Sequence, residues 1–166
     1  VNHLLIRPAL PSDVRTIRSL VEPYAERRIL LAKELVGYFE DVQEFVVAES
    51  GGVVVGCGAL HVMWDDLAEI RTLAVAQEHL GRGVGHRLVT ALVDRARFYQ
   101  LRRVFCLTFE VDFFTRQGFE PISGTPVAPD VYTELLRSHD DGVAEFLDLA
   151  RVKPNTLGNT RMLLTL

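Results

Sequence analysis

Leu80-Gly81-Arg82-Gly83-Val84-Gly85-His86 lies between two segments of different period, and its reading decides the fold. Upstream, Leu67-Ala68-Glu69-Ile70-Arg71-Thr72-Leu73-Ala74-Val75 has the length and composition of a strand. Downstream, Val84, Leu88, Leu92 and Ala96 recur at helical spacing, with Val89 and Val93 widening the stripe. The glycines therefore form a strand-to-helix turn. Lacking Cβ atoms, they let the backbone bend sharply and come close to a ligand. The first amides of the helix have no intrahelical partner, so they converge on an anion with the helix dipole behind them. Arg82 adds charge. The arrangement suits a pyrophosphate; on these residues alone, a tight structural turn is the alternative.

Working outward, 3–7 reads as a strand closed off by Pro8 and Pro11. Ser12 and Asp13 offer N-caps to a helix with core face Val14, Ile17, Leu20 and Val21, which Pro23 is expected to end. A second helix is expected over 29–39, weakened by Gly37. Phe45-Val46-Val47-Ala48 and Val53-Val54-Val55 flank Ser50-Gly51-Gly52, a hairpin signal, and the second strand runs on to Val62. Trp64-Asp65-Asp66 turns the chain into the strand before the glycines. Beyond the long helix, Val104-Phe105-Cys106-Leu107 reads as a buried strand, and 112–117 as a short helix ended by Gly118. Helices over 132–137 and 143–150 and a strand at Met162-Leu163-Leu164 complete the chain. The order β-α-α-β-β-β-α-β-α predicts an α/β fold, and 1–166 reads as one domain.

Composition narrows the function. The 166 residues are 48% apolar and 24% charged, ordinary for a soluble globular protein. No apolar run reaches the ~18 residues of a membrane span and no leader-like segment opens the chain, so a cytoplasmic location and no membrane partner are expected. Cys57 and Cys106 sit in apolar strands and read as reduced, buried thiols. His61, His79, His86 and His139 show no ligand spacing, so no metal is expected. The net charge of -4 argues against a nucleic-acid partner. Between 81 and 103, however, Arg82, Arg87, Arg95, Arg97, Arg102 and Arg103 face the single acid Asp94. Such a stretch suits a small anionic ligand as well as it suits a solvated helix face.

Two phosphate motifs fail at the glycine run. No Gly-Lys-Ser/Thr closes it, which excludes a P-loop. His86 occupies the last glycine position of a dinucleotide fingerprint, and Leu101-Arg102-Arg103 stands where that fingerprint needs an acid. A coenzyme A pyrophosphate loop remains. With Glu69 to Val75 leading into Gly81-Arg82-Gly83-Val84-Gly85, then 104–108 and Phe113-Phe114-Thr115-Arg116-Gln117-Gly118-Phe119, the chain resembles the Gcn5-related N-acetyltransferase (GNAT) family over roughly 7–119. Within it, Ile29-Leu30-Leu31-Ala32-Lys33 through Glu44-Phe45, Gly56-Cys57-Gly58-Ala59-Leu60, Ala68-Glu69-Ile70 and Leu107-Thr108 are similar to short amino-acid N-acetyltransferases and to the acetyltransferase domain of N-acetylglutamate synthases. The stretch 121–160 matches poorly.

The resemblance implies a mixed, splayed β-sheet flanked by helices, with acetyl-CoA as cosubstrate in the splay. It places the cofactor on Leu73, Ala74, Val75, Gly81, Arg82, Gly83, Val84, Gly85, His86 and Phe114, with backbone amides of 73–75 facing the thioester oxygen. Leu80 stands where the family loop usually begins with Arg or Gln. Phe114 stands where many relatives carry a Tyr that protonates the leaving thiolate, so it cannot act as that acid. Glu69 is implied as the base and Thr108 as a weaker source of help to the leaving group. Arg28, Lys33 and Arg71 are expected to bind the acceptor, with Arg27 and Arg161 as further cations. The implied reaction is Nα-acetylation of an amino acid, L-glutamate before L-glutamine, at the opening of arginine biosynthesis. Another small amine, a protein N-terminus, or a non-catalytic acyl-CoA-binding module are the alternatives. Relatives often dimerise, so a homodimer is expected.

Overall fold

The computed structural model describes residues 3–30, 33–152, 156 and 158–166. Among them, seven strands form one sheet: β1 (Leu4–Pro8), β2 (Phe45–Ser50), β3 (Val53–Trp64), β4 (Leu67–Val75), β5 (Arg103–Thr108), β6 (Glu120–Pro121) and β7 (Thr160–Thr165). Their spatial order is β1-β2-β3-β4-β5-β7-β6. Every neighbouring pair is antiparallel except β4 and β5, which are parallel.

That one parallel pair is joined by α3 (Val84–Phe98), whose apolar stripe closes over the sheet. Val84, Leu88, Val89, Leu92 and Val93 pack with Val46, Ala48, Val55, Leu60, Ile70 and Val104. Alternate residues of the same strands feed the other face. Phe45, Val47, Cys57, Ala59 and Ala74 pack against Val14, Ile17 and Val21 of α1 (Val14–Glu26) and Tyr38 of α2 (Leu35–Glu40). Strands covered on both faces read as near-continuous apolar runs, as these do. A glycine brings α3 close: a Cβ at Gly56 would lie 3.0 Å from Leu88 Cδ1 and 3.1 Å from Val84 Cγ1.

The C-terminal part builds a third cluster on the α1 side of the sheet. Leu135 of α5 (Pro129–Leu135) and Val143 and Phe146 of α6 (Asp141–Phe146) cover Met63, Leu67 and Phe105. The ring of Phe146 meets that of Phe105 edge-on, with centroids 4.9 Å apart. The chain then returns as β7 between β5 and β6.

Several expectations need correction. Pro23 does not end α1, which runs on to Glu26. A proline in the last helical turn removes one amide bond, and Pro23 is solvent-exposed, where water satisfies the carbonyl it leaves. Asp13 does not cap α1 with its side chain; it accepts from the Leu10 amide at 2.7 Å and from Arg7, which also holds Glu49. The helix expected over 29–39 begins at Leu35; Leu31 and Ala32 lie outside the described residues. The helices expected over 132–137 and 143–150 start and stop earlier, at Pro129–Leu135 and Asp141–Phe146. Both cysteines are buried and free, and burial pushes the Cys57 thiol up to about 12. No helix among the described residues is long and apolar enough to cross a membrane.

Leu88 is fully buried where α3 crosses β3. Leu88→Ala should lower the unfolding free energy by about 2–5 kcal/mol. The exposed Thr90→Ala, on the opposite face of α3, should stay within about 0.5 kcal/mol of the parent. Equal losses in urea unfolding would contradict this packing.

Candidate active site

The parallel pairing of β4 with β5 covers only Leu67↔Arg103, Ala68↔Val104 and Glu69↔Phe105. Both strands continue, to Val75 and Thr108, but no longer paired with each other. A fork opens immediately after Glu69. On its other edge β4 bulges: Thr72 and Leu73 stand opposite the single residue Gly58 of β3. Thr72 takes φ +57°, an uncommon conformation for a β-branched residue and a local strain that its surroundings must hold. The Cys57 thiol donates to the Thr72 carbonyl at 3.5 Å.

Two hollows meet at this fork. The larger, a groove of about 820 Å³, is lined by Leu73 and Val75 of β4, Gly81, Gly83, Val84, Gly85 and His86 of the glycine turn, and Tyr24, Phe113 and Arg116 opposite. Gly81 and Gly83 have φ +75° and +81°, and nothing lies within 4 Å of a Cβ built on either. No side chain caps α3, leaving its first amides open to the groove, the arrangement that binds a phosphate. Gly85 has a different role: a Cβ there would meet the Phe113 ring at 3.2 Å. Tyr24 donates through its hydroxyl to the Val75 carbonyl at 2.7 Å, tying the end of α1 to the groove. His86 Nδ1 lies 2.6 Å from Gln117 Oε1.

The smaller hollow, about 210 Å³, lies on the other side of the bulge. Arg28, Ile29, Glu69, Arg71, Thr72, Leu107, Glu145 and Asn159 are among its walls. Ile29 lines both hollows, and Thr72 of one precedes Leu73 of the other, so the two are neighbours. Glu69 is 4% exposed. Its Oε1 accepts from Arg71 Nε at 3.0 Å and Nη2 at 2.7 Å, while Arg71 Nη1 donates to Asp140 Oδ2 at 2.9 Å. Asp140 in turn caps α6, accepting from the Val143 amide at 2.9 Å. The fit is tight: a Cβ at Gly142 would lie 2.4 Å from Arg71 Nη2 and 2.9 Å from Glu69 Oε1.

Burial pushes the Glu69 carboxyl up, and the Arg71 charge pulls against it. Burial also acts to raise Asp140, but its bonds from Arg71 outweigh that and hold it at about 2. Glu145, 8% exposed, is lifted to about 8 by burial and then by the negative charge of Glu69.

Of the expected cofactor residues, Leu73, Val75, Gly81, Gly83, Val84, Gly85 and His86 line the groove; Ala74, Arg82 and Phe114 do not. Ala74 faces the α1 core and Arg82 is exposed. Phe114 is buried against Phe119, and Phe113 faces the groove in its place. Successive helical residues point about 100° apart, so only one of the two reaches it. Thr108 lines neither hollow, and its hydroxyl accepts from the Glu110 amide at 2.7 Å.

Among the acceptor cations, Arg28 and Arg71 line the smaller hollow. Lys33 is not brought there. It pairs with Asp41 at the end of α2, over the Tyr38 ring, and lines a separate depression with Arg18 and Glu22. Because α2 starts late, Lys33 lies across Gly37 and is drawn to the nearest acid. Arg161 donates to the carbonyls of Gly124, Glu145 and Phe146, a structural role at the end of α6. Sequence reasoning missed Tyr24, Phe113, Asp140, Gly142 and Glu145. The phase of the 111–116 helix could have found Phe113. Asp140-Asp141-Gly142-Val143 carries a capping signal, but nothing local says which strand it meets.

Residues 13–119 match the model of the Acetyltransferase (GNAT) family. A Mycobacterium tuberculosis protein named amino-acid acetyltransferase is 58% identical over 165 residues, 98% of this chain and 94% of that one. A crystal structure from M. tuberculosis, in complex with CoA and NLQ, superposes with a TM-score of 0.95 at 57% identity, covering 98% of this chain and 99% of that one. N-acetylglutamate synthase from Neisseria gonorrhoeae, complexed with coenzyme A and N-acetyl-glutamate, gives a TM-score of 0.78 at 25% identity. That match takes in 98% of this chain but 35% of the synthase. Asp140, Gly142 and Glu145 all lie beyond the span matched by the family model.

Two substitutions separate the hollows. A left-handed conformation costs a non-glycine residue roughly 1–2 kcal/mol, so Gly83→Ala should weaken CoA binding about tenfold in a titration, with the fold kept. Gly142→Ala should leave CoA binding intact and reduce turnover roughly 100-fold, the usual result of moving catalytic groups by about 1 Å. Loss of CoA affinity in Gly142→Ala, or its retention in Gly83→Ala, would overturn this division.

Proposed function

The chain belongs to the GNAT acetyltransferase family, and from that premise we propose that it moves the acetyl group of acetyl-CoA to the α-amino group of an amino acid, L-glutamate first. The observation that carries this reading is the position of Glu69, a buried carboxyl at the fork where the glycine-lined groove meets the smaller hollow. The groove suits acetyl-CoA: open helix amides and two left-handed glycines for the pyrophosphate, apolar Leu73 and Val75 for the thioester end. The smaller hollow takes the acceptor, with Arg28 at its wall for a carboxylate.

In this reading an α-ammonium enters beside Glu69, whose carboxylate takes a proton from it. The freed amine attacks the thioester carbonyl, and amides of 73–75 hold the developing oxyanion. The C–S bond breaks and CoA leaves as a thiolate, which a thiol pKa of about 8.5 permits near neutral pH. Arg71 orients Glu69 and keeps its ionised form accessible despite burial, so we assign it to positioning and not to the substrate.

The amino-acid acceptor is supported by the high identity to a protein of that name over nearly the whole chain, and glutamate by the likeness to an N-acetylglutamate synthase domain. The reaction then opens arginine biosynthesis in the cytoplasm. L-glutamine is the second reading: Glu69, ionised to act as the base, lines the same hollow, and a neutral side chain meets less like charge there than a carboxylate does.

CoA release from acetyl-CoA, measured with each of the twenty amino acids, tests this directly. Turnover is expected with glutamate or glutamine alone, and Glu69→Gln should reduce it about 100- to 10,000-fold. CoA binding without release for any amino acid would leave a different amine, a protein N-terminus or a binding module.

A further inference from the structure

Glu145 is unlike the other carboxylates of the smaller hollow. Glu69 and Asp140 both receive hydrogen bonds from Arg71, whereas the Glu145 carboxylate has no hydrogen-bond or ion-pair partner among the described residues. Yet the residue is only 8% exposed and lines the cavity. Its placement follows from α6. Gly142 presses against Arg71 and Glu69, and three residues later Glu145 comes round to the same helix face. The backbone is fixed there as well, because Arg161 donates to the Glu145 carbonyl at 3.1 Å. An acid that is largely buried, with its oxygens opening on the hollow and no partner among the described residues, is retained most simply where a ligand supplies that partner.

We propose that Glu145 is the second carboxyl of the acceptor-amine site, so that the substrate's ammonium group is held between Glu69 and Glu145. The proposal rests on the acetyltransferase reading above. The ammonium is the cation that Glu145 lacks. One of its protons passes to the carboxyl pair, the neutral nitrogen bonds to the acetyl carbon, and the C–S bond breaks with its electrons going to sulfur. The new amide nitrogen loses its second proton, so that one proton ends on the CoA thiol and one in solvent.

The charged groups that face Glu145 among the described residues bear on this. Glu69 and Arg71 project from β4, Asp140 and Asp141 from α6, Arg161 from β7, and Arg28 from the segment after α1. Arg71 is engaged by Glu69 and Asp140, and Arg161 by backbone carbonyls. Neither is left to neutralise Glu145. Burial and Glu69 together push the Glu145 carboxyl to about 8, so Glu145 keeps its proton at neutral pH until a cation arrives to replace it.

The test compares the full chain with Glu145→Gln and Glu145→Asp, using acetyl-CoA and the acceptor found in the amino-acid screen. Glu145→Gln should raise the acceptor KM about 10- to 100-fold, the loss of one charge-assisted hydrogen bond, with the acetyl-CoA KM unchanged. In the parent the acceptor KM should fall as pH rises towards 8, where Glu145 ionises, and this dependence should be absent from Glu145→Gln. Glu145→Asp should recover part of the acceptor affinity. In parallel, 13C NMR of the glutamate carboxyls needs no acceptor; it should show one resonance titrating near 8 that vanishes in Glu145→Gln. An unchanged acceptor KM that keeps the parent's pH dependence, or a Glu145 carboxyl titrating in the ordinary range, would overturn the proposal. Absence of turnover with every amino acid, with that resonance still near 8, would instead remove the functional reading and the acceptor role with it.

Discussion

Three residue pairs join β4 to β5, and the rest of the molecule is arranged around the place where that pairing stops. A parallel pair in the middle of a sheet is normally buried and continuous. Here β4 is committed on its other edge to β3, including the bulge at Thr72 and Leu73, while β5 is committed to β7 along its full length. Each strand follows its own neighbour, and the sheet separates into two parts beyond Glu69 and Phe105. The separation leaves unpaired backbone on both sides of a gap, a cost that an enclosed polar site can offset where other secondary structure cannot. The glycine turn stands at one side of this gap and α6 at the other.

The two hollows at the fork use different chemistry. The groove is built largely from backbone: open amides at the start of α3, glycines with positive φ, and the edge of β4. Such a site needs a conformation more than particular side chains, apart from the glycines that permit it. The smaller hollow is built from side chains that must meet across long sequence separations. Glu69 and Arg71 come from β4, Asp140 and Glu145 from α6, Arg28 from the turn after α1. Its selectivity therefore depends on how the 129–152 region docks against the sheet.

That difference explains what could be read from the sequence. The strand, glycine turn and long helix were legible because period and turn chemistry act locally, and seven of the ten expected groove residues line it. Glu69 was singled out on resemblance, and the pairing that stops at Glu69 and Phe105 is what puts it at the fork. Lys33 was assigned to the acceptor on resemblance, but its partner Asp41 lies eight residues away, and only the late start of α2 makes them meet. Phe114 was assigned to the cofactor on resemblance, whereas the phase of the 111–116 helix buries it and turns Phe113 to the groove. Pro23 was read as a stop signal, and its exposed place in the last turn of α1 overrode that. Asp140, Gly142 and Glu145 were not legible at all: their role is created by contacts with residues some seventy positions earlier.

The docking of α6 and the ionisation of its acids are linked, with opposite signs. Asp140 is held at about 2 in the folded protein, below the ~3.9 of an unfolded chain, so its contribution is present above that value and lost as pH falls through 2. Glu145 goes the other way. Its folded value of about 8 lies above the ~4.3 of an unfolded chain, so its contribution is full below 4.3 and is lost as pH rises through 8. Across neutral pH the second effect works against the docked segment, because unfolding lets Glu145 ionise. A buried carboxyl next to Glu69 would ordinarily be replaced by an apolar residue of similar size, at a gain in stability. The acid is tolerable if the docked form is the one that meets a cation. An ammonium entering the hollow lets Glu145 ionise beside a counter-charge, so acceptor binding and the docking of α6 against β4 favour each other.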